Sequence, residues 1–155
     1  MSKVFEDYFS ELHADMVAVC LEYVENQAEE IFIYCSYEPE MYAFDVFYKI
    51  NGEYLQKHEL NKGDNTTVTK VRKYDTSENR QEMVLDIGLK NLEEIHQKCK
   101  VYDREMPSEM KVYYNVKNNS LKGKYKYDLI YSNRDDILPD DIFESWLEEV
   151  KYSNY

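Results

Sequence analysis

The side chains that could do chemistry in this chain are dispersed. The three histidines, His13, His58 and His96, fall in unrelated segments. A general acid or base must lie within hydrogen-bond reach of its partner, and no spacing here provides one, so each reads as a surface residue. The three cysteines, Cys20, Cys35 and Cys99, are odd in number and sit in apolar surroundings. They read as buried, reduced thiols acting as small hydrophobes. His96 and Cys99 could share a helix face as metal ligands, but nothing nearby completes a tetrahedral set. The chain has no GxSxG, no Walker-type loop, no CxxC and no HExxH, and its four glycines leave little material for a phosphate cradle. Adjacent acids such as Glu93-Glu94 and Asp135-Asp136 do not face each other on a helix, which weakens them as acid/base pairs. The reading is a protein that is not an enzyme and holds no cofactor or metal. A hydrolase with an unrecognised carboxylate site stays open as a lesser alternative.

What stands out instead is the density of acid near the C-terminus. Asp128, Asp135, Asp136, Asp140, Asp141, Glu144, Glu148 and Glu149 face one basic residue, Arg134. Such a run is either a solvated helix face or a docking surface for a basic protein, whose approach clustered acids would steer. On the second reading, Asp135, Asp136, Asp140, Asp141, Glu144 and Glu148 are the candidate partner-binding residues.

The elements that must carry these residues are legible from periodicity. Residues 3–27 read as an amphipathic helix, with Phe5, Phe9, Leu12, Met16, Val19 and Tyr23 on one stripe. Glu30 to Leu60 reads as three antiparallel strands, about 30–37, 42–50 and 53–59. A turn around Pro39-Glu40 joins the first two. Asn51-Gly52, both tolerant of positive φ, forms a type I′ hairpin between the second and third. The first strand, with its IFIYC run, is apolar enough to be covered on both faces. A turn-rich loop, Asn61 to Asn65, precedes Thr66–Tyr74, which reads as a short strand or an extended connection. A second helix runs from about Ser77 to Asp103, with Met83, Ile87, Leu92, Ile95, Cys99 and Tyr102 as its apolar stripe. Gly88 within it marks a close approach to the sheet.

Strands at about 110–117 and 121–131 flank the turn Asn118-Asn119-Ser120. Lys111, Lys117, Lys122, Lys124 and Lys126 lie on their solvent face, where lysine commonly protects a sheet edge. Pro139 opens a third helix over about 139–151, with Ile142, Phe143, Trp146, Leu147 and Val150 inward. Trp146 is expected to be buried. The order α-βββ-α-ββ-α is that of an α+β fold, an antiparallel sheet with helices.

At 155 residues the chain reads as a single domain, residues 1–155, large enough to bury a real core. No apolar run reaches the length of a membrane span. The N-terminus lacks the basic patch and apolar core of a secretory signal, so the expectation is cytoplasmic. The net charge of −12 argues against a nucleic-acid partner, itself a polyanion. The sixteen tyrosines suit strands and interfaces alike. The sequence sets no oligomeric state.

Three stretches together resemble the YezG-like immunity proteins, the small antidotes to bacterial polymorphic toxins of the LXG type. They are the long N-terminal helix leading into IFIYCSYEPEMYAFDVFYKINGEYLQKHEL, the middle helix, and the closing LKGKYKYDLIY strand with LPDDIFESWLEEVKY. The resemblance implies toxin neutralisation by direct protein–protein binding, without catalysis. The cognate toxin is then often a nuclease, whose basic cleft an acidic surface can occupy. The alternative reading is a non-catalytic ligand-binding or adaptor module using a Tyr-rich sheet face. It requires a concave pocket on a face that helices leave open.

Overall fold

The computed structural model of the chain describes residues 4–38, 41–62 and 74–153. Among them the order is α1 (Phe5–Tyr23), β1 (Glu30–Glu38), β2 (Met41–Ile50), β3 (Glu53–Gln56), a 3-10 turn (Lys57–Lys62), α2 (Glu78–Val101), β4 (Glu109–Asn115), β5 (Ser120–Lys126) and α3 (Pro139–Ser153). The fold is α+β, with the expected order of elements. The turn expected at Pro39-Glu40, and residues 63–73 of the expected loop and extended connection, lie outside the described residues.

The five strands form one sheet, ordered β3-β2-β1-β4-β5, and every neighbouring pair is antiparallel. β1 is the central strand, and its continuous apolarity has the expected cause. Ile31, Ile33 and Cys35 pack toward α1 and α2 with Val46, Tyr48 and Val112. Phe32 and Tyr34 point the other way and pack with Phe47 against Phe143, Trp146, Leu147 and Val150 of α3. The sheet is thus sandwiched between α1 and α2 on one face and α3 on the other. Trp146 is buried, edge-on to Phe32 and Phe47 at ring separations of 5.8 and 5.2 Å.

Local chemistry accounts for most boundaries. Asn51 and Gly52 adopt φ of 52° and 81°, as a type I′ turn needs. α1 ends without glycine, because Glu25 and Asn26 take the left-handed conformation with φ of 54° and 62°. Ser77 caps α2, its hydroxyl accepting from the Arg80 N–H at 3.4 Å. Gly88 lies directly against the Phe44 ring, which occupies the space a Cβ would need.

Three expectations need correction. Leu92, Ile95 and Cys99 of α2 are buried as expected, but in its first half Val84 and Gly88 take the inward line in place of Met83 and Ile87, and Ile87 and Tyr102 are exposed. The glycine, having no side chain, lets the helix approach along that line. The third strand stops at Gln56, and 57–62 curl into a 3-10 turn that buries Lys57 beside Asp45. The last strand stops at Lys126 and not at Tyr131. Residues 127–131 leave the sheet because buried polar groups elsewhere claim their backbone.

Candidate functional site

The segment that carries the acids is a loop, residues 127–138, leading into α3. A loop without ladder bonds would ordinarily wander, but this one is fastened to the end of β1. Glu38, the last residue of β1, is only 1% exposed. Its carboxylate accepts from the N–H of Ile130 (2.8 Å) and of Ser132 (2.8 Å), with the Tyr131 N–H at 3.2 Å from both oxygens. Burial opposes ionisation of this group. The hydrogen bonds from Ser132, Ile130 and Tyr131 outweigh it and hold the carboxyl below the ordinary carboxylate range.

Two further ties flank this one. The buried Tyr131 hydroxyl meets Ser36 Oγ at 3.0 Å. Ser108 N–H donates to the Lys126 carbonyl (2.7 Å), and the Ser108 hydroxyl lies 2.5 Å from the Asp128 carbonyl, to which it donates. The loop therefore enters and leaves its anchor at fixed points before α3 begins. At the far end the Asp141 carboxylate accepts from the Leu138 N–H at 2.8 Å. Asp140 and Asp141 both sit in the first turn of α3, where negative charge complements the helix dipole.

All six candidate residues are exposed. Asp135 and Asp136 lie in the loop, and Asp136 accepts a bond from Arg134 at 3.2 Å. Asp140, Glu144 and Glu148 recur at every fourth position of α3 and line one exposed flank beside the buried stripe of Phe143, Trp146 and Leu147. The structure thus exposes the loop acids and the helix acids on one segment of chain, whose Phe143, Trp146 and Leu147 turn inward between them. Asp141 doubles as a helix-terminus ligand, so its role is partly structural. The same segment exposes apolar side chains that charge counting overlooked: Tyr127 at 50%, Leu129 at 48% and Leu138 at 63%. Exposed apolar residues among acids supply contact area where charges alone supply steering.

The anchoring residues, Glu38, Ser36, Ser108 and Tyr131, were not singled out from sequence. Glu38 reads as one more acid before a turn, and its partners lie more than ninety residues away in the chain. The one available hint is Tyr131, an apolar body with a polar tip amid charged neighbours.

The histidines also differ from expectation. His13 is buried, with Nδ1 at 2.8 Å from the Phe9 carbonyl and Nε2 at 3.2 Å from the Tyr125 hydroxyl. Burial lowers its pKa, outweighing the opposing bond to Phe9. His96 is largely buried and bonds the Tyr42 hydroxyl through Nδ1 at 2.6 Å. His58 is exposed, as expected. Cys20, Cys35 and Cys99 are all free and buried.

The alternative reading asks for a Tyr-lined pocket on an open sheet face. Both faces of β1 and β2 carry helices. A groove of about 560 Å³ lies between α1 and the β4–β5 hairpin, with Tyr114 and Tyr125 in its wall, and another of about 540 Å³ lies between α2 and the start of β2, with Tyr42 in its wall. Among the described residues, no helix is long and apolar enough to cross a membrane, and no three His, Cys, Asp or Glu side chains converge as a metal site. No protein-family model matches this chain, and no curated protein sequence does.

Proposed function

We propose that this protein is an immunity protein: it neutralises a secreted bacterial toxin in the cytoplasm by binding it, without catalysis. The observation that carries the reading is the fastened acidic segment. Asp135, Asp136, Asp140, Asp141, Glu144 and Glu148 are exposed on a loop and helix tied to the sheet by the buried Glu38 carboxylate. A surface ordered before binding loses less conformational entropy on complex formation, which favours tight association. Its charge suits a basic partner, and a nuclease cleft is basic because it holds phosphates. Tyr127, Leu129 and Leu138 offer apolar contacts within the same segment. The resemblance to the YezG-like immunity proteins supports the same conclusion independently of charge.

The test is co-expression with the toxin encoded by the neighbouring reading frame. The expected result is restored growth and a one-to-one complex on co-purification. Continued growth arrest, with no complex recovered, would reject the reading.

A further inference from the structure

The sheet ends at β5, and among the described residues no strand pairs with its outer edge. The parity of the ladder identifies the backbone groups that face outward there. Val116 N–H donates to Glu29 O (3.0 Å) and Tyr37 N–H to Ser108 O (2.9 Å). These bonds make Glu30–Asn115 and Ser36–Glu109 the non-hydrogen-bonded pairs of β1 and β4. The backbone groups of Glu109, Lys111, Tyr113 and Asn115 therefore turn toward β5, opposite Lys126, Lys124, Lys122 and Ser120. The N–H and C=O groups of Leu121, Gly123 and Tyr125 are left pointing away from the sheet.

The two faces of this edge differ sharply in chemistry. The side chains of Leu121 and Tyr125 lie on the α1 side. There they form, with Val17, Ala18, Leu21 and Tyr114, the walls of the 560 Å³ groove. Lys122, Lys124 and Lys126 project on the opposite side, exposed, beside Tyr113, Lys111 and Glu109. We infer that the outer edge of β5 is a strand-addition site for an extended partner segment that alternates acidic and apolar residues. Such a segment would bond the backbone of Leu121, Gly123 and Tyr125. Every second side chain would enter the groove, and the intervening ones would stand beside the lysines.

Charge decides the occupant. A second copy of β5 would bring lysine opposite lysine across the new ladder, which is destabilising. Acidic side chains reverse that sign. The net charge of −12 acts weakly here, because at physiological salt charges are screened over about 8 Å. Lysines alone would suffice to protect an edge. The adjoining apolar groove is not needed for protection, and it gives an incoming strand something to bury. The outward backbone groups and the groove include no residue of the acidic loop or of α3, so the inference does not depend on the toxin reading, although the lysines share the α3 side of the sheet, where Lys111 stands 5.6 Å from the Trp146 ring.

The experiment uses two short fluorescent peptides, one alternating Glu and Val and one alternating Lys and Val. Anisotropy titration at physiological salt is read together with backbone amide shifts of the full chain. The Glu/Val peptide is expected to bind saturably, at least about tenfold more tightly than Lys/Val, and to shift the amides of Leu121, Gly123 and Tyr125. Lys122→Glu combined with Lys124→Glu should invert the preference. Leu121→Pro removes an outward donor that the β4–β5 ladder does not use, so it should abolish binding while thermal unfolding shows the fold intact. The inference is overturned if the two peptides bind alike, if neither binds, or if the shifts map elsewhere. Concentration-dependent dimerisation that shifts these same amides would also overturn it, in favour of self-pairing.

Discussion

Glu38 illustrates how one residue organises chemistry it does not itself perform. Its carboxylate takes the N–H groups of three consecutive residues, Ile130, Tyr131 and Ser132, at the root of the acidic loop. Glu38→Ala leaves the buried Tyr131 N–H and the part-buried N–H groups of Ile130 and Ser132 without their partner, and the expected cost is about 1–3 kcal/mol in urea unfolding. The pH dependence has a definite sign. The folded-state pKa of Glu38 lies below its unfolded value, so its contribution is complete above the ordinary carboxylate range and is lost as pH falls through the folded value. The stability gap between wild type and Glu38→Gln should therefore narrow on acidification from pH 7, measured by thermal unfolding across the acid range. A gap that widens would contradict the assignment. Gly88 is a second case. Alanine is the better helix former by about 1 kcal/mol, but its methyl group would drive into the Phe44 ring in the packed interior. Overpacking of about 1–3 kcal/mol wins, so Gly88→Ala should lower the unfolding midpoint in urea. The glycine could be flagged in advance because glycine is costly in a helix. Glu38 could not, since nothing local distinguishes a carboxylate that will meet a distant backbone from one that stays in water.

At the scale of elements, α3 is the piece that joins the scaffold to the candidate surface. It buries Phe143, Trp146, Leu147 and Val150 against Phe32, Tyr34 and Phe47, and turns its acids outward. Trp146→Ala should cost about 3–5 kcal/mol, seen as a lower urea midpoint, and should free the helix from the sheet. A near-wild-type midpoint would mean that α3 packs elsewhere in solution. The elements themselves were largely legible. The 3.6-residue stripe of α3, the Asn-Gly turn and the two-faced apolarity of β1 are local signals that tertiary packing reinforces. Legibility failed where a non-local contact overrode the pattern. The apolar LIY run after Lys126 reads as a continuation of the strand, yet Glu38, Ser36 and Ser108 hold this segment off the sheet. In the first half of α2 the line through Met83 and Ile87 yields to one through Val84 and Gly88, where the helix comes directly against Phe44, while Leu92, Ile95 and Cys99 stay inward as expected. His13 looked polar and exposed beside its acids, but Phe9 and Tyr125 close over it.

The whole molecule divides its work between a rigid sandwich and two chemically opposite surfaces. One is the acidic loop and outer side of α3; the other is the lysine-lined edge of β5. The acids repel one another, and a basic partner relieves that repulsion on binding, so complex formation should weaken as salt is raised. The most direct test of the account is the affinity for the proposed partner, the toxin encoded by the neighbouring reading frame, of a variant carrying Asp135→Lys, Asp136→Lys, Glu144→Lys and Glu148→Lys. These four are exposed and, unlike Asp141, do not bond the start of α3. The account predicts at least about a hundredfold weaker binding, equivalent to some 2.7 kcal/mol or more, with an unchanged thermal midpoint. Affinity equal to that of wild type in the correctly folded variant would contradict it.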